Sequence, residues 1–165
     1  MKINSILYID DSFENGATAV TADPRIKFVS NPNDIEATLK DYDCIITDLH
    51  MTHSESGFEV VENALRSGKM PYVATGGTYE HGGSFNRVTV FDFGFFRNFD
   101  KITKADPRFW KESLASIDEN EAKVQPVRLA LEKVYSTIGM VPEETIRMMM
   151  QMYRKNRNKI IGRTH

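Results

Sequence analysis

The chain contains one cysteine, Cys44, among 165 residues. A single thiol closes no disulfide within the chain, and its place inside the apolar run "CIITDL" reads as a small core residue. A disulfide framework and a cysteine-metal scaffold are therefore excluded. Long apolar runs are scarce as well: "ILYI" near the N-terminus stops at two acids, far short of the roughly 20 residues that span a bilayer. No basic region and cleavage site frame a secretory signal, so the expected location is cytoplasmic. Internal repeats and low-complexity stretches are missing too.

What is present fits one globular domain with at most a small appendage: 41% hydrophobic residues, 27% charged residues and a net charge of −2. The charge is uneven. Acids outnumber Lys and Arg by six over residues 1–118, whereas six Lys or Arg and no acid follow from Arg147 to the end. A basic last helix reads as dipole complementarity and solubility, with nucleic-acid contact as the alternative.

Short apolar runs recur at "SILYID" (5–10), "IKFVS" (26–30), "DCIITDL" (43–49), "PYVATG" (71–76) and "FDKITK" (99–104). Continuous rather than alternating runs suit strands covered on both faces. Helical patterns lie between them. "NDIEATLKDY" can be capped by Asn33, "GFEVVENALRSG" sets Phe58, Val61 and Leu65 on one stripe before Gly68, and "DPRFWKESLASI" offers Asp106 as N-cap and Pro107 at the first position. This alternation predicts a doubly wound, five-stranded parallel sheet with helices on both faces. "SFENGATAVTADP" predicts a first helix of one or two turns, and the glycine-rich, aromatic stretch after Thr75 a loop or a short extra strand.

Beyond residue 118 two helical segments remain, "PVRLALEKVYSTIG" and "PEETIRMMMQMYRKNRNK". They predict a C-terminal α-helical hairpin over 119–165, appended to a domain over 1–118. Its methionines suit the hairpin core, or alternatively a homodimer contact.

In a doubly wound parallel sheet, sites form at the carboxyl ends of the strands. Asp10 and Asp11 end the first strand, Asp48 the third, Thr75 the fourth and Lys104 the fifth. Three carboxylates make a hard-oxygen site suited to Mg²⁺. A lysine and a hydroxyl beside it suit a phosphoryl group, whose oxygens need positive charge and donors.

These residues resemble those of the response-regulator receiver domain, the CheY-like phospho-accepting module of two-component signalling, over about residues 3–118. "ILYIDDS" resembles its first strand and acid pair, "DYDCIITDLHMTHSESGFEVVENAL" the stretch around its phosphorylated aspartate, "YVATG" its fourth strand and "DKITKADP" its fifth. The resemblance implies a flavodoxin-like fold and Mg²⁺-dependent phosphorylation of Asp48. It implies that Asp10, Asp11, Asp48 and the backbone carbonyl of His50 hold the metal, and that Thr75 and Lys104 bind the phosphoryl group. A histidine kinase or phosphotransfer protein is the implied donor. The pattern departs at Thr52, where the family has proline, and at Ala105 after Lys104, where it again has proline. Its switch aromatic falls on Lys101, which also competes for the lysine role.

Other readings stand beside this one. A phosphorylation-independent pseudo-receiver would use the same fold for constitutive protein contacts. "GMVPEETIRMMMQMYRKNRNKI" is weakly similar to ANTAR, an RNA-binding output that follows some receivers. A phosphohydrolase is not expected, because Asp10 is followed two positions on by Ser12 rather than a second acid. His50, His53 and His81 lack a helix that would align them for zinc. "GGTYEHGGS" lacks the Lys-Ser/Thr of a phosphate loop.

Overall fold

The computed structural model describes residues 2–31, 39–51, 57–76 and 87–161. In chain order its elements are β1 (Ile6–Ile9), α1 (Phe13–Ala22), β2 (Ile26–Val29), a 3₁₀ turn (Leu39–Asp41), β3 (Cys44–Thr47), α2 (Gly57–Arg66) and β4 (Tyr72–Gly76). They continue with β5 (Arg87–Phe91), β6 (Phe96–Asp100), α3 (Pro107–Ile138) and α4 (Glu143–Ile161). Most of the segment expected to form the second helix, "NDIEATLKDY", lies outside the described residues.

The sheet has six strands in the order β2-β1-β3-β4-β5-β6. β1 through β4 run parallel, β5 is antiparallel to β4, and β6 is antiparallel to β5. The expectation of five parallel strands is thus corrected to a mixed six-stranded sheet. The cause lies in "RVTVFDFGFF": Val88 and Val90 are buried on one face, and the chain reverses at once after Phe91. Asp92 closes that turn. Its backbone N–H donates to the Phe95 carbonyl at 2.9 Å, and its carboxylate accepts from the Gly94 N–H at 2.8 Å. A hairpin needs only such a turn, whereas a parallel crossover needs a dozen residues or more. Two reversals return β6 to the direction of β4, so its carboxyl end still reaches the edge where β1 and β3 end. The expected last strand over 99–104 stops at Asp100, because Lys101 takes a left-handed φ of 63° that a strand cannot continue.

Alternation along the parallel strands splits the core. Ile6, Tyr8, Ile46 and Ala74 face α1 and the first part of α3, where Phe109, Trp110, Leu114 and Ile117 cover them. Leu7, Ile9 and Ile45 face Val60 and Ala64 of α2, while Val73 and Phe91 face Val61, Leu65 and, from α4, Ile146, Met149, Met150 and Tyr153. α1 is longer than expected, at 10 residues, because Gly16 is no helix breaker here: a Cβ there would meet the Phe28 ring at 2.5 Å, so the glycine makes room for β2.

α3 begins at Asp106, whose carboxylate accepts from the Arg108 N–H at 2.9 Å, and ends at Gly139 with φ 73°. Residue 118 lies within it. Its first part packs on one face of the sheet, and Leu131 reaches the core of the other. α4 lies against α2 and completes the second layer. Among the described residues no helix is long and apolar enough to cross a membrane.

Candidate functional site

Register alone brings two of the acids together. Ile9 pairs with Thr47, and the Asp48 N–H donates to the Ile9 carbonyl at 2.9 Å, so Asp10 and Asp48 leave adjacent strands side by side. Asp10 and Asp48 share the face of Tyr8 and Ile46, two positions earlier in each strand. Asp10 is 1% and Asp48 7% exposed, while Asp11 is open to solvent. Carboxylate oxygens of all three lie within 4.8 Å of one another.

Lys104 completes the cluster from the turn between β6 and α3. Its Nζ lies 2.8 Å from Asp10 Oδ2, 3.2 Å from Asp48 Oδ1 and 3.0 Å from the Ala74 carbonyl, which accounts for its three donors. Lys101, the other candidate, is exposed at the end of β6. Asp10 has several donors: Oδ2 also accepts from the Tyr8 hydroxyl and from Asn15 Nδ2 at 3.2 Å, and Oδ1 from the Ser12 N–H at 2.9 Å. Asp48 has fewer donors, with Oδ1 accepting from the Leu49 N–H at 2.9 Å.

Protonation follows from that asymmetry. Burial pushes the Asp48 carboxyl up and the neighbouring Asp10 charge adds to it, outweighing Lys104. Burial would raise Asp10 too, but the Lys104 charge and the hydrogen bonds from Lys104, Tyr8 and Ser12 hold it below the usual carboxylate range. Burial would lower Lys104, but Asp48 and Asp10 together hold it charged. Buried Asp10 and Asp48 share one ammonium and exposed Asp11 lies beside them, so the cluster carries surplus negative charge. A set of hard oxygen donors with such a surplus can hold a metal ion.

Thr75 is buried near the end of β4, one residue past the carbonyl that receives Lys104, and its hydroxyl donates to the Gly76 carbonyl at 3.1 Å. His50 is half-buried two residues after Asp48. Thr52, His53 and His81 lie outside the described residues. Sequence reasoning missed Tyr8, Asn15 and Trp110, whose indole N–H donates to the Lys104 carbonyl at 2.8 Å. A period of two along β1 was the signal for Tyr8.

A second buried charge cluster went unnoticed in the sequence. At the opposite edge Arg128 of α3 pairs with Asp92 and, at 2.6 Å, with Glu121, and donates to the Met70 carbonyl. Its guanidinium stands 4.9 Å over the Tyr72 ring.

Searches of protein families, of curated proteins and of solved structures find no match to this chain.

Proposed function

We propose that this chain is a receiver-like module that accepts a phosphoryl group on Asp48 in the presence of Mg²⁺. The observation that carries the reading is Lys104 Nζ held between Asp10 and Asp48 in a cluster whose carboxylates still outnumber their cation. The order β2-β1-β3-β4 of parallel strands supports it, being the order of flavodoxin-like sheets as far as β4.

In this reading Asp11 and Asp48, with the His50 carbonyl and Asp10 behind them, hold the metal. Bound Mg²⁺ neutralises charge on the transferring phosphoryl oxygens. An Asp48 carboxylate oxygen attacks the phosphorus of a phosphohistidine on a donor protein; the O–P bond forms, the P–N bond breaks, and the leaving imidazole takes up a proton. Lys104 pairs with the new acyl phosphate, which adds charge and acceptor oxygens beside it. Asp10, the acid with the most donors, also orients Lys104.

The test is binding of beryllofluoride, a phosphoryl mimic, with and without Mg²⁺. Wild type should bind it only with the metal, and Asp48→Asn should not bind it. Metal-independent binding, or equal binding by the variant, sinks the proposal.

One observation favours a second reading, a pseudo-receiver that makes constitutive contacts. The Thr75 hydroxyl is engaged within its own strand, and β5 sits beside β4, so the limb that would respond to a phosphoryl group is built differently. Light scattering separates the two: assembly, for example a homodimer, unchanged by saturating beryllofluoride supports the pseudo-receiver.

A further inference from the structure

Lys104 sits in a turn, outside the ladder that fixes Asp10 and Asp48. The chain leaves β6 at Asp100, bends through Lys101 and a turn closed by the Asp106 N–H on the Thr103 carbonyl at 3.0 Å, and enters α3 at Pro107. Ala105 follows Lys104 and constrains the backbone no more than any ordinary residue. A lysine side chain carries among the largest rotamer entropies, so an unassisted turn would hold its ammonium poorly.

Both ends of Lys104 are nonetheless held, and by connected groups. Its carbonyl accepts from Trp110 Nε1 at 2.8 Å. The Trp110 ring meets Tyr8 edge-on, with centroids 4.5 Å apart, and both residues are fully buried. The Tyr8 hydroxyl donates to Asp10 Oδ2, the same oxygen that receives Lys104 Nζ at 2.8 Å. The four residues form a closed ring from Lys104 carbonyl to Trp110, Tyr8, Asp10 and back to the Lys104 ammonium.

We infer that Trp110 and Tyr8 are positioning residues for Lys104, fixing its backbone through the indole N–H and its ammonium through Asp10. The tyrosine hydroxyl also draws charge from Asp10 Oδ2, which keeps Lys104 shared with Asp48 instead of captured by Asp10 alone. The use of that position in phosphoryl binding rests on the function proposed above; the positioning itself does not.

The test needs no metal. In the full-length chain, pulse acetylation with acetic anhydride, read by peptide mass spectrometry, reports the Lys104 amine against exposed Lys111, and thiol labelling of buried Cys44 reports global opening. Trp110→Phe and Tyr8→Phe each keep a ring in place and remove one hydrogen bond. Each should raise the Lys104 rate relative to Lys111 on the order of tenfold while Cys44 stays protected. No rise at Lys104, or an equal rise at Lys104 and Cys44, overturns the inference.

A second arm reads the consequence. With Mg²⁺ present, Trp110→Phe should weaken beryllofluoride binding on the order of tenfold, and should add nothing in a Lys104→Met background. Additive losses overturn the inference. If wild type binds no beryllofluoride, the proposed function fails and the acetylation result alone decides the positioning role.

Discussion

The two edges of one sheet bury charge in opposite ways. At the amino edge Arg128 spreads a guanidinium over Asp92 and Glu121, with the Tyr72 hydroxyl on Glu121 at 3.0 Å and Asn120 on that hydroxyl at 3.2 Å. Asn156 of α4 donates to the Asp92 carbonyl at 3.1 Å, so both C-terminal helices close over the cluster. At the carboxyl edge Lys104 offers a compact ammonium to Asp10 and Asp48, with Asp11 left in solvent. A planar, always-charged fork suits a permanent lock, whereas a point charge among three carboxylates leaves room for another cation. Burial by itself does not mark function. Both clusters hold more carboxylates than cations, and the difference is that one carboxylate of the carboxyl-edge set, Asp11, stays in solvent where a cation can reach it.

Removing the cation at each edge is the strongest way to break this contrast. Arg128→Met leaves Asp92 and Glu121 without a counter-charge and should cost about 3–5 kcal/mol in urea unfolding, with no recovery in Mg²⁺. Lys104→Met should cost about 3 kcal/mol in chelator. It should regain roughly 2–3 kcal/mol with Mg²⁺ near a hundredfold its dissociation constant. If Mg²⁺ leaves Lys104→Met unmoved, the carboxyl edge is a lock like the other and the cation site is wrong.

Protonation gives a second, somewhat smaller contrast. Burial pushes Asp92 up to about 6 against the pull of Arg128. A carboxyl raised on folding binds its proton more tightly in the native state, so the stability it contributes is present below about pH 4 and lost as pH rises through about 6. Asp48 is raised too and acts in the same direction, while Asp10 is lowered and acts in the opposite one. Asp92→Asn should therefore flatten the fall between pH 4 and 6 by on the order of 3 kcal/mol relative to wild type. Mg²⁺ should flatten only the share that belongs to Asp48. An unchanged slope in Asp92→Asn would mean that Arg128 already holds that carboxyl ionised.

The strand ends at Asp10 and Asp48 were legible in the sequence because a fully buried strand reads as an apolar run, and each run stops at an acid. Lys104 was legible for a less direct reason: two chain reversals cancel, so a segment expected after a parallel crossover arrives at the same edge by another route. β5 was legible only as a choice between a loop and a short extra strand, because one short alternating stretch among glycines and aromatics does not announce its partners. The amino-edge cluster was hidden for a different reason. Arg128 meets Met70 and Asp92 across 58 and 36 residues of chain, and no local period connects them. The expected break near residue 118 followed from a change in apolar pattern, which here marks where α3 passes from one face of the sheet toward the other.

Glycines at the two edges offer the finest discrimination. A Cβ at Gly57 would lie 2.0 Å from the Asp48 carbonyl oxygen and 2.5 Å from Leu49 Cα, backbone that cannot turn aside. A Cβ at Gly94 would meet Val124 Cγ1 at 2.5 Å, a contact with a side chain rather than with backbone. Overpacking should therefore cost about 2–3 kcal/mol in Gly57→Ala and only about 1 kcal/mol in Gly94→Ala. The sharper expectation concerns the site. Gly57→Ala must move the strand end that carries Asp48, so it should weaken metal-dependent beryllofluoride binding beyond what its stability loss explains, while Gly94→Ala leaves that binding intact. Equal binding by both variants would mean that the turn after β3 absorbs the displacement before it reaches the Asp48 carboxylate.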